Sequence, residues 1–270
     1  MSFQQMQMLS GMIERANLLW NKHWQGGPAV SSSNASSVEL ANGMRITLLS
    51  PRRNDLDRLG THWRKNLNRE DVSEARPVGD DIPDAAARGG ASRKRAGRKQ
   101  GATTTGRINV EALAAKVFVG DASVVNAASI AFLAEYNDKT LLVGGDAHDS
   151  VLIESIRMLL RRRRLKRLPL DAFVIPHGGS SHNVGRELLQ LLDCERYMVS
   201  ADGSKFQNPD RVTIARIITY GRATPDRPLT LIFNYRSEFT EPWANAELKK
   251  RYRYEAIYPA APDAGIKVGI

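Results

Sequence analysis

Two polar loops contain the residue types of this sequence that are best suited to chemistry. The loops span residues 144–149 and 176–183, and each directly follows an apolar stretch typical of a strand: the first contains Asp146 and His148, the second His177 and His182. In α/β proteins the functional site commonly lies at the carboxyl ends of adjacent strands. A carboxylate together with imidazoles suits a cation such as Zn²⁺ or Mn²⁺. The pattern therefore predicts metal ligands among these four residues.

Structural roles are equally open for these residues. Asp146 is suited to capping the helix that follows it, and His177 to closing a turn. His148 and His182 fit exposed loop positions without a chemical role. They also fit substitute metal ligands, hydrogen-bond partners of ligands, or proton donors to a leaving group.

The second loop also offers hydrogen-bond donors for an anion. Ser180 and Ser181, with the amides of Gly178 and Gly179, are suited to binding a phosphate or a developing oxyanion. A tight turn that leads into the next helix is the structural alternative. No serine lies in a nucleophile-elbow context, and the sequence has no P-loop or dinucleotide fingerprint.

The periodicity of apolar residues predicts a layered α/β fold that positions these loops. Strands are expected at residues 129–136, 140–146, 172–176, 197–200 and 230–235, and helices at residues 110–115, 151–163, 184–192 and 210–220. Ahead of them we expect a helix in residues 1–25, a hairpin in residues 38–49 around Asn42-Gly43, and a helix in residues 54–67. A hairpin followed by alternating strands and helices indicates a mixed sheet.

The composition excludes several classes of protein. A hydrophobic content of 42% supports a core, which excludes wholesale disorder. No stretch approaches the ~20 apolar residues of a membrane span, and the N-terminus has no signal-peptide pattern, so we expect a cytoplasmic protein without a membrane partner. The single cysteine, Cys194, excludes an internal disulfide and a cysteine-built zinc site.

The net charge of +10 is concentrated in two segments. The basic residues cluster within residues 88–99 and 161–167, whereas acidic residues slightly outnumber basic ones elsewhere. Both segments are candidates for contacts with nucleic acid through phosphate groups. The alternatives are a solvated loop for the first and a helix end that complements its dipole for the second.

Composition also divides the chain into three parts. Residues 1–69 contain the first helix, the hairpin and the second helix. Residues 70–106 are rich in Gly, Ala, Arg and Pro and have almost no bulky apolar residues, which predicts a flexible basic insert. Residues 107–270 contain the alternating strands and helices.

The order of motifs resembles the C-terminal half of metallo-β-lactamase-fold hydrolases. The match is carried by a strand that ends in Gly145-Asp146, the following Pro176-His177-Gly-Gly-Ser motif and the segment Asn126-Ala-Ala-Ser-Ile. The most similar branch is the hydrolase domain of the DNA-uptake competence protein. The resemblance implies a layered αββα architecture, with Asp146 bridging two metal ions and His177 completing the shell of one. It also implies that Asn126, with Ser180 and Ser181, contacts the substrate.

The sequence departs from that family in its other metal ligands. The motif His-x-His-x-Asp-His is absent from the 270 residues, and Gly178 and Asn208 stand where the family has histidines. Counterparts of the family's N-terminal strands are also missing. We therefore expect this chain to hold one half of a site for one or two Zn²⁺ or Mn²⁺ ions, with the other half supplied by a partner chain or by an N-terminal segment.

Three functional hypotheses follow. The first is a metal-dependent hydrolase that uses metal-bound hydroxide on a phosphodiester or related ester. The second is a non-catalytic remnant or partner-binding subunit of the same fold. An incomplete sandwich leaves an apolar face or edge open, so both predict a homo-oligomer or a partner chain. The third is a nucleic-acid-binding protein that uses the two basic segments.

Overall fold

A computed structural model describes residues 3–18, 20–31, 37–70, 108–261 and 264–270. The predicted insert therefore lies outside the described residues apart from residue 70, and so does the basic segment 88–99. None of the helices within these ranges is long and apolar enough to cross a membrane.

A mixed eight-stranded sheet forms the centre of the fold. Its strands, in spatial order, are β1 (Ser37–Glu39), β2 (Arg45–Ser50), β3 (Ala131–Tyr136), β4 (Lys139–Val143), β6 (Ala172–Val174), β8 (Arg196–Val199), β9 (Thr230–Phe233) and β10 (Glu255–Ile257). The strands from β1 to β4 pair antiparallel, and those from β4 to β10 pair parallel. The short strands β5 (Leu168–Leu170) and β7 (Leu192–Cys194) form a separate parallel pair.

Helices connect the parallel strands, as a parallel sheet requires. The helices are α1 (Phe3–Arg15), α2 (Arg53–Glu70), α3 (Val110–Ala114), α4 (Val124–Ala127), α5 (Asp149–Arg163), α6 (Arg186–Gln190), α7 (Arg211–Tyr220) and α8 (Ala246–Tyr252). Short 3₁₀ turns lie at Lys22–Trp24, Pro176–Gly179 and Glu241–Ala244. In α5, the buried Leu152, Ile156 and Leu159 recur at helical spacing and join the core.

One face of the sheet is fully covered. Leu133, Leu142, Phe173, Tyr197 and Leu231 are paired in succession across five strands, and each is completely buried. These side chains belong to the same core cluster as the apolar residues of α5, α6 and α7. Burial against the helices accounts for most of the stabilisation of this layer, at roughly 1.5–3 kcal/mol for each large side chain.

The opposite face carries an apolar row that is partly exposed between the buried Leu48 on β2 and the buried Ile232 on β9. Phe132, Val143, Val174 and Met198 pair in succession across β3, β4, β6 and β8, and each side chain keeps partial exposure to solvent. We call these four residues the open row. It lies next to the carboxyl ends of β4 and β6, where the two predicted site loops begin.

Most of the predicted elements are confirmed, with shifts at their ends. The predicted helix over residues 1–25 is wrong beyond Arg15, where α1 ends. The helix predicted to continue to residue 192 stops at Gln190, because Leu192 and Cys194 alternate inward in β7. The hairpin turn closes between Leu40 and Met44, with only Gly43 at positive φ, so it is longer than a two-residue turn. Strands β5 and β10 and helices α4 and α8 were not predicted.

Candidate functional site

The two predicted loops meet because β4 and β6 are adjacent and parallel. The His177 amide donates to the Gly145 carbonyl at 2.8 Å, and the Gly144 amide donates to the Val174 carbonyl at 3.0 Å. A Cβ at Gly144 would lie 2.9 Å from Pro176, so a side chain at this position would force the loops apart. The glycines of the motif thus allow the two strand ends to approach closely.

His177 has a left-handed backbone conformation, with φ 49° and ψ 43°. This conformation is uncommon for residues other than glycine, and it persists where the surroundings hold it. Its amide is held by Gly145, and its carbonyl accepts from Asn208 Nδ2 at 2.8 Å. Its half-buried ring meets the Phe206 ring edge-on, with the centroids 5.7 Å apart. These contacts fix the position of the imidazole at the strand end.

Asn183 links the two loops and is completely buried. Its Nδ2 donates to Asp121 Oδ2 at 3.0 Å and to the carbonyls of Asp146 and Ala147 at 3.3 Å. All three partners only accept hydrogen bonds, so this network assigns the amide orientation. Its Oδ1 then lies 3.3 Å from His177 Nδ1, which must carry the proton. The neutral ring therefore has its lone pair on Nε2.

Asp121 anchors this network, although the sequence patterns did not single it out. Its carboxylate accepts from the Ser123 amide and Asn126 Nδ2, both at 2.8 Å, and from Asn183 Nδ2. Burial raises the pKa of Asp121, but these hydrogen bonds and the nearby His148 lower it more, so the pKa lies below its ordinary value. An ionised carboxylate thus holds both amides. The Asp-x-Ser spacing before α4 is the local signal for its turn.

His148 and His182 both contact backbone carbonyls. His148 Nε2 lies 2.9 Å from the Ser123 carbonyl and 3.8 Å from Asp121 Oδ2, immediately before α5. The exposed His182 has Nδ1 2.8 Å from the Val119 carbonyl. The His182 carbonyl in turn accepts from the Asp121 amide at 3.1 Å. The two rings therefore tie residues 119–123 to the two site loops.

In the turn at Ser180 and Ser181, the Ser180 hydroxyl and the Ser181 backbone groups have hydrogen-bond partners. The Ser180 hydroxyl accepts from the His182 amide at 3.2 Å. The Ser181 amide donates to Asp210 Oδ2 at 2.7 Å, and its carbonyl accepts from Arg216 at 2.9 Å. Of the two sequence-based interpretations, these contacts match a tight turn that leads towards the next helix.

The described residues do not form a metal centre by themselves. Asp146 presents an exposed side chain, and its amide donates to Ser129 Oγ at 2.9 Å. Within the described ranges, no group of three or more His, Cys, Asp or Glu side chains is placed to hold a metal ion. Asp146 and the Nε2 atom of His177 are suitable donor types, but zinc sites use at least three protein ligands.

Part of the basic segment 161–167 has a structural role. Arg163 forms two hydrogen bonds of 2.8 Å with the Glu135 carboxylate, which ties α5 to β3. Arg167 donates to the Leu192 carbonyl at 2.9 Å. The basic side chains of the last turn also complement the dipole of α5. These contacts fit the helix-end interpretation of the segment.

Fold and site together define an α/β protein with a mixed sheet flanked by helices and a polar cluster at the carboxyl ends of two parallel strands. No protein-family model matches the chain, and comparisons with curated proteins and with solved structures give no match. The resemblance to the metallo-β-lactamase fold therefore stays a prediction.

Proposed function

We propose that this chain contributes one half of the active site of a metal-dependent hydrolase with the layered metallo-β-lactamase architecture. The proposed substrate is a phosphodiester or a related ester. The observation that supports it most is the Asn183 contact, which leaves the lone pair of His177 on Nε2 in the loop beside Asp146. A histidine held in one tautomer by a buried partner is typical of a metal ligand or a general base.

Each residue of the cluster has a definite task in this proposal. Asp146 and His177 are the ligands that this chain supplies, and Zn²⁺ or Mn²⁺ would activate water and the ester as a Lewis acid. Asn183 keeps the His177 proton on Nδ1, and the ionised Asp121 holds Asn183 in place. Positioning by such partners commonly changes metal affinity or activity by 10–100-fold.

The open row supports a site that is completed by another polypeptide segment or by a partner chain. Its four apolar side chains lie in adjacent strands and keep partial exposure, whereas the side chains paired across the opposite face are completely buried. A sheet that buries both faces is more stable than one with an apolar face in water. A layer docked on the open row would lie next to the strand ends that carry the two site loops. It could thus bring further ligands to Asp146 and His177.

The experiment is elemental analysis of the chain isolated without chelator, together with any protein that co-purifies with it. We expect about one or two equivalents of zinc or manganese per chain in the assembly, and loss of the metal in Asp146→Ala and in His177→Ala. Asp57→Ala, an exposed aspartate on α2, is the matched control and should retain the metal. An assembly without metal, or one whose metal content is the same in all variants, would contradict the proposal.

A second candidate function is a non-catalytic, partner-binding subunit. It is favoured by the contacts of the His148 ring, the His182 ring and the Ser181 amide, which already bond to protein atoms. This candidate predicts an assembly that forms normally when Asp146 and His177 are both replaced by alanine and that does not hydrolyse bis(4-nitrophenyl) phosphate with added Zn²⁺ or Mn²⁺. Hydrolysis that the wild-type assembly performs and the double variant has lost would instead favour the first.

A further inference from the structure

A cavity of about 310 Å³ lies between α3, α6 and α7, behind the loop that carries Asn183. Three cationic side chains, two aromatic rings and two alanines line it, and the lining contains no acidic residue. The five larger side chains are Lys116, Phe118, Arg186, Arg216 and Tyr220. The cavity thus combines positive charge with apolar ring surface.

Arg216 is the most buried of these cations, with 2% of its surface exposed. Its guanidinium donates to the carbonyls of Ser181, Val184 and Lys116 at 2.9, 3.0 and 3.1 Å. It forms no ion pair with any carboxylate of the described residues. Burial lowers its pKa, against the weaker opposing effect of Asp149. Buried charges in proteins are normally paired with an opposite charge.

The two acids that raise the pKa of Arg216, Asp149 and Asp210, already accept hydrogen bonds from other groups. Asp149 Oδ1 accepts from the Gly185 amide at 2.7 Å, and Asp210 Oδ2 accepts from the Ser181 amide at 2.7 Å. Each carboxylate therefore has a backbone donor of its own. Within the described residues, neither of these two carboxylates forms an ion pair with Arg216.

Lys116 and Arg186 add two exposed cations that form no ion pair within the described part of the chain. The Arg186 guanidinium lies 4.8 Å from the centre of the Tyr220 ring, and that of Arg216 lies 5.3 Å from the centre of the Phe118 ring. Cations that surround a cleft with apolar walls focus a positive potential within it. Anions are thereby concentrated at the cavity.

We propose that this cavity binds a small phosphomonoester with an aromatic group, of the nucleoside monophosphate class. The phosphate would pair with the exposed Lys116 and Arg186 at the mouth, and its negative charge would offset that of the buried Arg216. The rings of Phe118 and Tyr220 would contact the aromatic group. A volume of about 310 Å³ is at the lower end of ligand pockets, which suits a single small molecule. This site needs no metal and is independent of the proposed hydrolase function.

The test is calorimetric titration of the full chain with AMP, with adenosine and inorganic phosphate as component probes. We expect AMP to bind more tightly than either component. The double variant Lys116→Gln/Arg186→Gln should weaken AMP binding about tenfold or more, because two charge-assisted contacts are lost. Its matched control is Lys250→Gln/Arg161→Gln, which removes two exposed cations away from the cavity and should bind AMP like the wild type.

The same titrations contain the results that would overturn the proposal. Absence of AMP binding to the full chain would do so, as would equal weakening in the cavity variant and the control. Inorganic phosphate that binds as tightly as AMP would overturn the role of the rings. Asp146→Ala should leave AMP binding unchanged, so this site and the proposed metal site can fail separately.

Discussion

Asn183 determines which nitrogen of His177 carries the proton. The Asn183 Oδ1 atom lies 3.3 Å from His177 Nδ1, and its Nδ2 faces only acceptors: the Asp121 carboxylate and two carbonyl groups. A flipped amide would place acceptor against acceptor at each of the three contacts that Nδ2 makes. The chain therefore prepares His177 Nε2 as a lone-pair donor before any ligand or metal arrives.

Replacing Asn183 should remove the contact that fixes the tautomer of His177 and leave the imidazole ring in place. In Asn183→Ala, the neutral His177 should lose its preference for the Nδ1 proton, which ¹⁵N NMR of the imidazole detects directly. Asn126→Ala is the matched control, because it deletes another amide that donates to Asp121 but does not touch His177. If the imidazole signals are the same in wild type and in Asn183→Ala, Asn183 does not set the tautomer.

The main elements and the meeting of the two loops could be predicted from the sequence. Apolar runs bounded by turn residues locate β4 and β6, and adjacent parallel strands bring their carboxyl ends together. The role of Asp121 could not be predicted, because it depends on the fold closing residue 121 onto His182. Asn183 is similar, since an asparagine before a helix indicates a cap and only tertiary contacts reveal its bond to His177.

Gly145 is expected to be the glycine whose replacement most disturbs the site. It has φ 54°, and a Cβ there would collide with the Ile130 carbonyl oxygen. Gly145→Ala should therefore lose about 3 kcal/mol or more of unfolding free energy, from backbone strain and the collision together. Urea unfolding followed by circular dichroism measures this loss.

Comparison with Gly43→Ala separates the cost of backbone strain from the cost of the collision. Gly43 also has a positive φ, 83°, but a Cβ there would meet no atom within 4 Å. This variant should lose only about 1 kcal/mol, the cost of the left-handed backbone. Equal losses in the two variants would show that the contact with Ile130 contributes nothing to the requirement for glycine.

Asp149 gives the fold a pH dependence between about pH 4 and pH 6. Burial, with a smaller contribution from the nearby Glu187, raises its pKa to about 6, against the Gly185 amide and Arg216, which lower it. The folded chain thus binds this proton more tightly than the unfolded chain, whose pKa is near the ordinary value of 3.8. The contribution of Asp149 to stability is therefore greatest below about pH 4 and is lost as the pH rises through about 6.

Asp149→Asn should remove this dependence while keeping an acceptor for the Gly185 amide. Because about two pKa units correspond to about 3 kcal/mol, the variant should be up to about 3 kcal/mol more stable than wild type at pH 8. The difference should shrink towards zero at pH 4. Urea unfolding at both pH values measures it, with the exposed Asp57→Asn as control. A variant that is less stable than wild type at pH 8 would show that the ionised Asp149 stabilises the fold.

The open row makes a prediction about assembly that needs no knowledge of the partner. Met198 is the half-buried member of the row on β8, so Met198→Glu places a charge on the face that is proposed to be covered. Burying that charge in an interface costs several kcal/mol, whereas the partial exposure of this position lets the carboxylate reach water in the isolated fold. Light scattering should show an assembly for the wild type and its loss in Met198→Glu.

Val117→Glu, at a side chain that is 88% exposed and outside the row, should assemble like the wild type. A wild-type chain that is a well-folded monomer and binds no apolar dye would mean that this face is complete as it stands, and the proposal of a missing layer would fail with it.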